Sequence, residues 1–208
     1  HDSDIALRAQ GRKGFRNPTM REMYLYPSSS EDLKPERIMN YERSWKQRPL
    51  GGAFNYGINV YYLKGDNLIQ TVNRKNVNTG KVENCGAELE AAWRISGQWE
   101  INTNHSFLHM KYHILSAPQY VGYLGARYAA GKWAAKAGVQ QVCGLFTSVG
   151  SSETAESFTL LDATLDYNLS RNLTIWLRGE NLLNQKYEII LGYPMPGASF
   201  LAGISIGI

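Results

Sequence analysis

The sequence predicts an all-β chain, and within that class an antiparallel transmembrane β-barrel portion of about ten up-and-down strands with short periplasmic turns and long extracellular loops. Three observations carry this. Apolar and polar residues alternate with a period of two along most of the chain. The connections between alternating segments are short and long by turns. Aromatic residues sit beside the short connections, on the apolar side. Composition agrees: the 208 residues include 20 Gly, 13 Tyr and 5 Trp, and aromatic-rich segments punctuated by Gly are an all-β signal.

In chain order, Ile5 to Lys13 sets Ile5, Leu7 and Ala9 against Arg8, Gln10 and Arg12. A long loop, GFRNPTMREMYLYPSSSEDLKPE, follows. Ile38 to Gln47 places Met39, Tyr41 and Trp45 opposite Asn40, Glu42, Ser44 and Lys46, and Arg48 to Gly52 is a tight turn because Pro and paired Gly punctuate a chain. Phe54 to Tyr62 alternates Phe54, Tyr56, Ile58, Val60 and Tyr62 with Asn55, Gly57, Asn59 and Tyr61. The polar stretch NRKNVNTGKVEN reads as a loop. Beyond it, Ala87, Leu89, Ala91, Trp93 and Ile95 oppose Glu88, Glu90 and Arg94.

A turn at Gly97-Gln98 leads to Trp99–Lys111, where Trp99, Ile101, Thr103 and Phe107 oppose Glu100, Asn102, Asn104 and Ser106. After the loop around Tyr112 to Pro118, Tyr120, Leu124, Ala126 and Tyr128 share a side. Ala129 to Gly131 turns the chain into Trp133, Ala135, Ala137 and Val139, and the blurred pattern at Gln140-Gln141 predicts a bulge. The loop VGSSETAES precedes Leu161, Ala163, Leu165 and Tyr167, set against Asp162, Thr164 and Asp166. Ser170 to Asn172 turns into Leu173, Ile175 and Leu177, opposite Thr174, Trp176, Arg178 and Glu180. The last segment puts Phe200, Ala202, Ile204, Ile206 and Ile208 against Ser199, Gly203, Ser205 and Gly207, with Leu201 the exception.

Trp45, Phe54, Trp93, Trp99, Tyr128, Trp133 and Tyr167 all lie near short turns on the apolar side. A belt at one depth is what a membrane interface selects, whereas a soluble sandwich needs none. No apolar run reaches the roughly 20 residues of a membrane helix, but barrel strands need only about 9–11. Arg43 lies on the apolar side, two positions from Trp45, within snorkelling reach of the interface. The formal charge of +4 comes from scattered Lys and Arg, which speaks against a nucleic-acid partner. Two Cys suit neither a disulfide scaffold nor a zinc cluster. The sequence begins at His1 without Met and reads as a piece of a longer protein.

Four stretches resemble the C-terminal part of TonB-dependent receptors: GRKGFRNPTMREMY, DLKPERIMNYE, ENCGAELEAAWRIS and NLTIWLRGENLLNQKYEIILGYPMPGASFLAGISI. They span essentially the whole chain in the family's order. The resemblance implies that residues 1–208 form the final ten strands of a barrel of about 22, with His1 on the periplasmic side and the plug and Ton box upstream. Within the family, Tyr187-Glu188 and Gly192-Tyr193-Pro194-Met195-Pro196-Gly197 look most like cobalamin receptors; siderophore and haem receptors share the other features. Unlike most barrels, the chain ends in Ile208 rather than an aromatic. The implied function is TonB-coupled import of a scarce metal-containing nutrient, with no covalent chemistry and no resident cofactor. The implied partners are TonB through the N-terminal part, the lipid bilayer and lipopolysaccharide, a metal-chelate ligand and a surface lipoprotein.

Candidate ligand contacts come from the long loops, since a rigid scaffold carries binding residues there. They are Arg16, Arg21, Tyr24, Tyr26, Tyr112 and Tyr193; Tyr120 reads equally as an interface-girdle residue. Glu88, Glu90, Asp162, Asp166, Arg178 and Glu180 are expected to face the lumen, along the substrate path or as an ion-paired wall. No catalytic cluster or metal motif is evident: His105 and His109 share a face but are about 13 Å apart at ~3.3 Å per residue. Cys85 and Cys143 fall on strands about 14 Å apart, beyond disulfide reach. Two rivals remain, a closed ten-stranded outer-membrane barrel enzyme, which needs its first and last strands to pair, and a soluble β-sandwich binding module.

Overall fold

A computed structural model describes residues 4–207. Ten strands form one antiparallel sheet: β1 (Asp4–Arg16), β2 (Glu36–Arg48), β3 (Phe54–Val72), β4 (Lys75–Arg94), β5 (Trp99–Met110), β6 (Tyr120–Ala130), β7 (Trp133–Ser148), β8 (Thr154–Ser170), β9 (Leu173–Glu180) and β12 (Ser199–Ile206). Two short strands, β10 (Glu188–Ile190) and β11 (Tyr193–Pro194), pair with each other in the loop after β9. Each strand of the large sheet pairs with its neighbour in sequence, and β9 with β12. β1 and β12 are the two edges, so the sheet is an unclosed portion of a barrel. The closed ten-stranded barrel needs those edges paired, and the sandwich needs a second layer; the sheet order supplies neither. His1 and Ile208 lie outside the described residues.

Register fixes the faces, because directly opposed residues point to the same side. Leu7, Trp45, Ile58 and Leu89 form one row, and Ala126, Ala137, Ala163, Gly179 and Phe200 form another, all on one apolar face. Its large side chains are exposed: Leu7 at 71%, Phe200 at 70% and Ile206 at 74%. An apolar face this continuous is one that lipid covers, not a core. At the turn end the belt rings touch in pairs, Trp99 on Tyr128 at 4.7 Å and Trp133 on Tyr167 at 4.6 Å between centroids.

Strand tilt follows from register and belt together. If interface aromatics share one depth, the belt slips four residues in four strand steps from Trp93 to Tyr167, and eight in six from Trp45 to Tyr167. At ~3.3 Å per residue and ~4.8 Å between strands this is a tilt of roughly 35–43°. Ten residues of β7, from Trp133 to Cys143, then rise about 25 Å, the height of a barrel's apolar band.

The strands outrun the sequence reading at the loop end. The stretch NRKNVNTGKVEN, expected to be a loop, is mostly strand: β3 and β4 continue to a two-residue turn at Asn73 and Arg74, whose φ values of 49° and 62° suit a right-twisted hairpin. Beyond the membrane both faces meet water, so alternation disappears although pairing continues. The bulge expected at Gln140-Gln141 lies between Val142 and Leu145, where Gly144 takes φ +62°. VGSSETAES shrinks to a loop at 149–153, and the first long loop contains one π-helical turn, Arg21–Leu25. The few buried apolar side chains (Leu33, Met110, Val142, Leu145, Phe146 and Phe158) cluster toward the loop end.

Candidate functional site

The polar face carries a concavity of about 460 Å³ lined by Arg8, Gln10, Glu42, Lys46, Glu88 and Glu90, among others. Its wall is knit across strands. Lys46 donates to Glu90 at 2.6 Å, reaching over Gly57, which stands between them in register. A Cβ at Gly57 would come within 2.8 Å of the Glu90 carboxylate. Asn59 donates to Glu88 at 3.1 Å, and Gln10 and Asn40 both donate to Glu42. Aromatic rings on this face lie over other glycines: Tyr61 over Gly86, Tyr123 over Gly125 and Gly138, and Trp176 over Gly203. Small residues at those positions let the rings lie flat against the wall.

Register puts Glu88, Glu90, Asp162, Asp166, Arg178 and Glu180 on this face. Asp162 accepts the Asn181 backbone N–H at 2.8 Å, Arg178 stands 6.0 Å from the Trp176 ring, and Glu180 accepts from the Ser199 hydroxyl at 3.4 Å.

Above the wall the loops form a crown with two fastened ends. After β1, the Arg16 guanidinium forks onto Glu36 at 2.6 and 2.7 Å and onto Glu22 at 3.0 Å through two nitrogens. The Arg16 bonds, then the Thr19 backbone N–H, hold Glu22 down at about 2. The same Arg16 contact lowers Glu36 against the opposing effect of burial, and the two carboxylates raise Arg16. Asn76 and Asn78 of β4 then bond to backbone of the loop, Asn76 to Glu22 O at 3.2 Å and Asn78 to Lys34 O at 2.8 Å. The Ile69 N–H donates to Glu36 at 2.8 Å.

The loop after β9 is held differently. Tyr187 stacks on Phe158 at 4.1 Å, joining the apolar cluster of Val142, Leu145 and Phe158. Desolvation there pushes the Tyr187 phenol above its usual range, with Asp162 adding to the shift. Asn181, 6% exposed, pins the loop by donating to Gln185 O and Pro196 O and accepting from Gln185 N–H. Leu191 N–H donates to Thr147 O at 3.0 Å and Ser116 to Ile189 O at 3.2 Å. His113 stacks on Phe146 at 4.0 Å and pairs with Glu153, so three loops meet here.

The six loop candidates fall into two groups on this crown. Arg16 is committed to its two glutamates. Arg21 lies against Tyr26, 5.2 Å from the ring centroid, with exposed Tyr24 nearby in sequence. Tyr112 and Tyr193 are exposed on the other group of loops, Tyr193 at 71%. Tyr120 is on the apolar face, its ring 4.8 Å from Phe107 and its hydroxyl 2.8 Å from His105 Nδ1, which makes it a girdle residue. Sequence reasoning missed the Phe158–Tyr187 clamp, the His113–Phe146 stack and the Asn76/Asn78 strap. The only trace of the last is a pair of Asn two residues apart in an apparent loop.

Comparison with known proteins joins these features. The sequence matches the family described as TonB dependent receptor-like, beta-barrel, over residues 2–182. The Vitamin B12 transporter BtuB of Photobacterium profundum is 24% identical over 222 residues, covering 96% of this chain and 35% of that protein. Copper transporter OprC superposes with a TM-score of 0.82 at 17% identity, over 99% of this chain and 36% of that one. The ferripyoverdine receptor of the outer membrane of Pseudomonas aeruginosa gives 0.76 at 14% identity, over 97% and 31%. The chain therefore spans about a third of the proteins it matches. The unclosed ten-strand sheet, its apolar belt and the family match together place this chain in the TonB-dependent receptor β-barrel family.

Proposed function

We propose that this chain is the C-terminal barrel part of a receptor that imports cobalamin across the outer membrane of a Gram-negative bacterium, driven through TonB. The resemblance to the Vitamin B12 transporter along 96% of the chain is the observation that carries it. The crown's chemistry supports it. Tyr24, Tyr26, Tyr112 and Tyr193 offer exposed rings, while Arg16 is neutralised by Glu22 and Glu36. A large, amphipathic metal chelate gains from aromatic contact area at low entropy cost. On this reading Arg21, Tyr24, Tyr26, Tyr112 and Tyr193 contact ligand. Arg16 shapes the loop, and the polar wall of Glu88, Glu90, Asp162, Asp166, Arg178 and Glu180 faces the plug and the transit path. The protein does no covalent chemistry. Lipid and lipopolysaccharide surround the barrel, and a surface lipoprotein is a further partner.

Titrating the intact receptor with cobalamin tests this. Saturable binding is expected, weakened tenfold or more, about 1.4 kcal/mol, in the Tyr112→Ala/Tyr193→Ala double variant. No saturable cobalamin binding, with saturable binding of a ferric siderophore, puts the siderophore reading in its place.

A further inference from the structure

β7 outlasts one of its partners. Its pairing with β6 ends where Tyr120 stands opposite Cys143, yet β7 runs on to Ser148. The carbonyls left along that edge need donors. The loop at 111–119 supplies them: Gln119 N–H donates to Cys143 O at 3.1 Å, and Ser116 N–H to Phe146 O at 2.8 Å. On its other side β7 pairs with β8, and a register shift between Phe146 and Ser148 leaves Thr147 out of that ladder. The Thr147 carbonyl is then free for the loop after β9, and accepts from Leu191 N–H at 3.0 Å. The Thr147 side chain is 2% exposed, its hydroxyl 2.8 Å from that of Thr154, which holds the carbonyl in place. The end of β7 thus seats two loops that are remote in sequence.

Ser116 touches both of these loops and β7. Besides its N–H bond to Phe146, its hydroxyl donates to Ile189 O at 3.2 Å, across 73 residues of sequence. Its φ is +59°. A non-Gly residue keeps a left-handed conformation where its surroundings over-determine it, and such residues gather at ligand clamps. Here the two bonds do so, and each leads by a short, stiff path to a proposed ligand contact. Tyr112 precedes His113, whose ring stacks on Phe146 at 4.0 Å and pairs with Glu153, and Ala117 N–H closes a turn onto Ile114 O at 3.2 Å. Tyr193 pairs in register with Ile190, the neighbour of Ile189, and Gly192 N–H just before it donates to Glu188 at 2.6 Å. Holding Ile189 therefore holds Tyr193. We infer that Ser116 is a positioning residue that couples the loop at 111–119 to the loop at 181–198, so that Tyr112 and Tyr193 meet cargo as one preorganised pair. Preorganisation raises affinity by cutting the ordering cost at binding. The effect on affinity rests on the cobalamin reading above; the coupling of the loops does not.

Ser116→Ala keeps the Cβ at that φ and removes only the hydroxyl. In the intact receptor, hydrogen exchange at residues 188–194 is expected to quicken by about threefold or more, although the substitution lies in another loop. Cobalamin binding is expected to weaken by about threefold to fivefold, the yield of one partly solvated hydrogen bond. In the Tyr112→Ala/Tyr193→Ala background the same substitution is expected to leave the remaining affinity unchanged, because the side chains it positions are gone. A hydroxyl that merely stabilised the fold would weaken binding in both backgrounds. Unchanged exchange at residues 188–194 overturns the coupling whatever the cargo is. An affinity untouched by Ser116→Ala in the wild type, or a loss that persists in the double variant, overturns the positioning role. If the wild type binds no cobalamin, the cargo reading falls, and the exchange result alone decides the coupling.

Discussion

The loop after β1 and the loop after β9 both fold back onto a neighbouring hairpin, but they are held by opposite chemistry. The first is fastened by Arg16 between Glu22 and Glu36 and by Asn side chains bonded to backbone. The second is fastened by Tyr187 stacked on Phe158 over a small apolar core. The difference has a local cause. The outer ends of β3 and β4 meet the first loop through Asn76, Asn78 and the Ile69 N–H. Those of β7 and β8 carry Val142, Leu145 and Phe158, which a loop can cover. A crown of this kind answers different perturbations at its two ends.

The largest separation is expected from Phe158→Ala. Phe158 is 7% exposed, and truncating a buried Phe costs about 3–5 kcal/mol. Limited proteolysis and hydrogen exchange should show residues 181–198 released, with residues 17–35 as protected as before. Arg16→Met comes next. It leaves Glu36, 8% exposed, without its partner; because Arg16 is itself half in solvent, the loss is discounted to about 1–2 kcal/mol. Protection should fall in residues 17–35 alone, and Glu36→Gln added to Arg16→Met should recover part of it.

The smallest effect is expected from pH. Glu22 is held near 2 and Glu36 is lowered, both by Arg16. Depressed carboxylates stabilise the fold fully above their unfolded value and lose that contribution as pH falls through the folded one. The first loop should therefore loosen between about pH 4.5 and 2, while the Phe158–Tyr187 clamp persists. Equal loosening of both loops under hydrogen exchange across that range would remove the comparison.

The barrel was legible because the bilayer writes itself into the sequence. Strands in the lipid band must alternate, and their turn ends must carry rings, so Phe54 to Tyr62 and Trp133 to Val139 announce themselves. Where lipid stops, the signal stops. Residues 66–84 pair as strands with two register shifts, and Leu68, Ile69, Val72, Val77 and Val82 fall among Asn, Lys and Thr with no period to read. The displaced bulge has a similar cause: Gln140-Gln141 breaks the polarity pattern, but the backbone breaks at Gly144, where φ is positive. At the crown, residue types were visible and partnerships were not. Arg16 stands out as a loop-end cation, yet its role is decided by Glu22 and Glu36, six and twenty residues on. Gln141 and His105 are polar yet lie on the apolar face, bonded respectively to Thr159 at 2.5 Å, and to Tyr120 at 2.8 Å and Thr103 at 2.9 Å. A polar side chain in lipid is tolerated when its neighbours satisfy it.

The order of strands in the sheet has a consequence for how the protein is made. Every pairing but β9 with β12 joins strands adjacent in sequence, and even that one spans only residues 181–198. The growing sheet can zip one hairpin at a time, with short loop closures at each step. The penalty is deferred to the two flanks. Until a strand joins β1 and another joins β12, both expose ladders of unpaired peptide groups, which hydrocarbon cannot solvate. Open edges of this kind are prone to aggregate, so both need covering by a partner strand before hydrocarbon surrounds them.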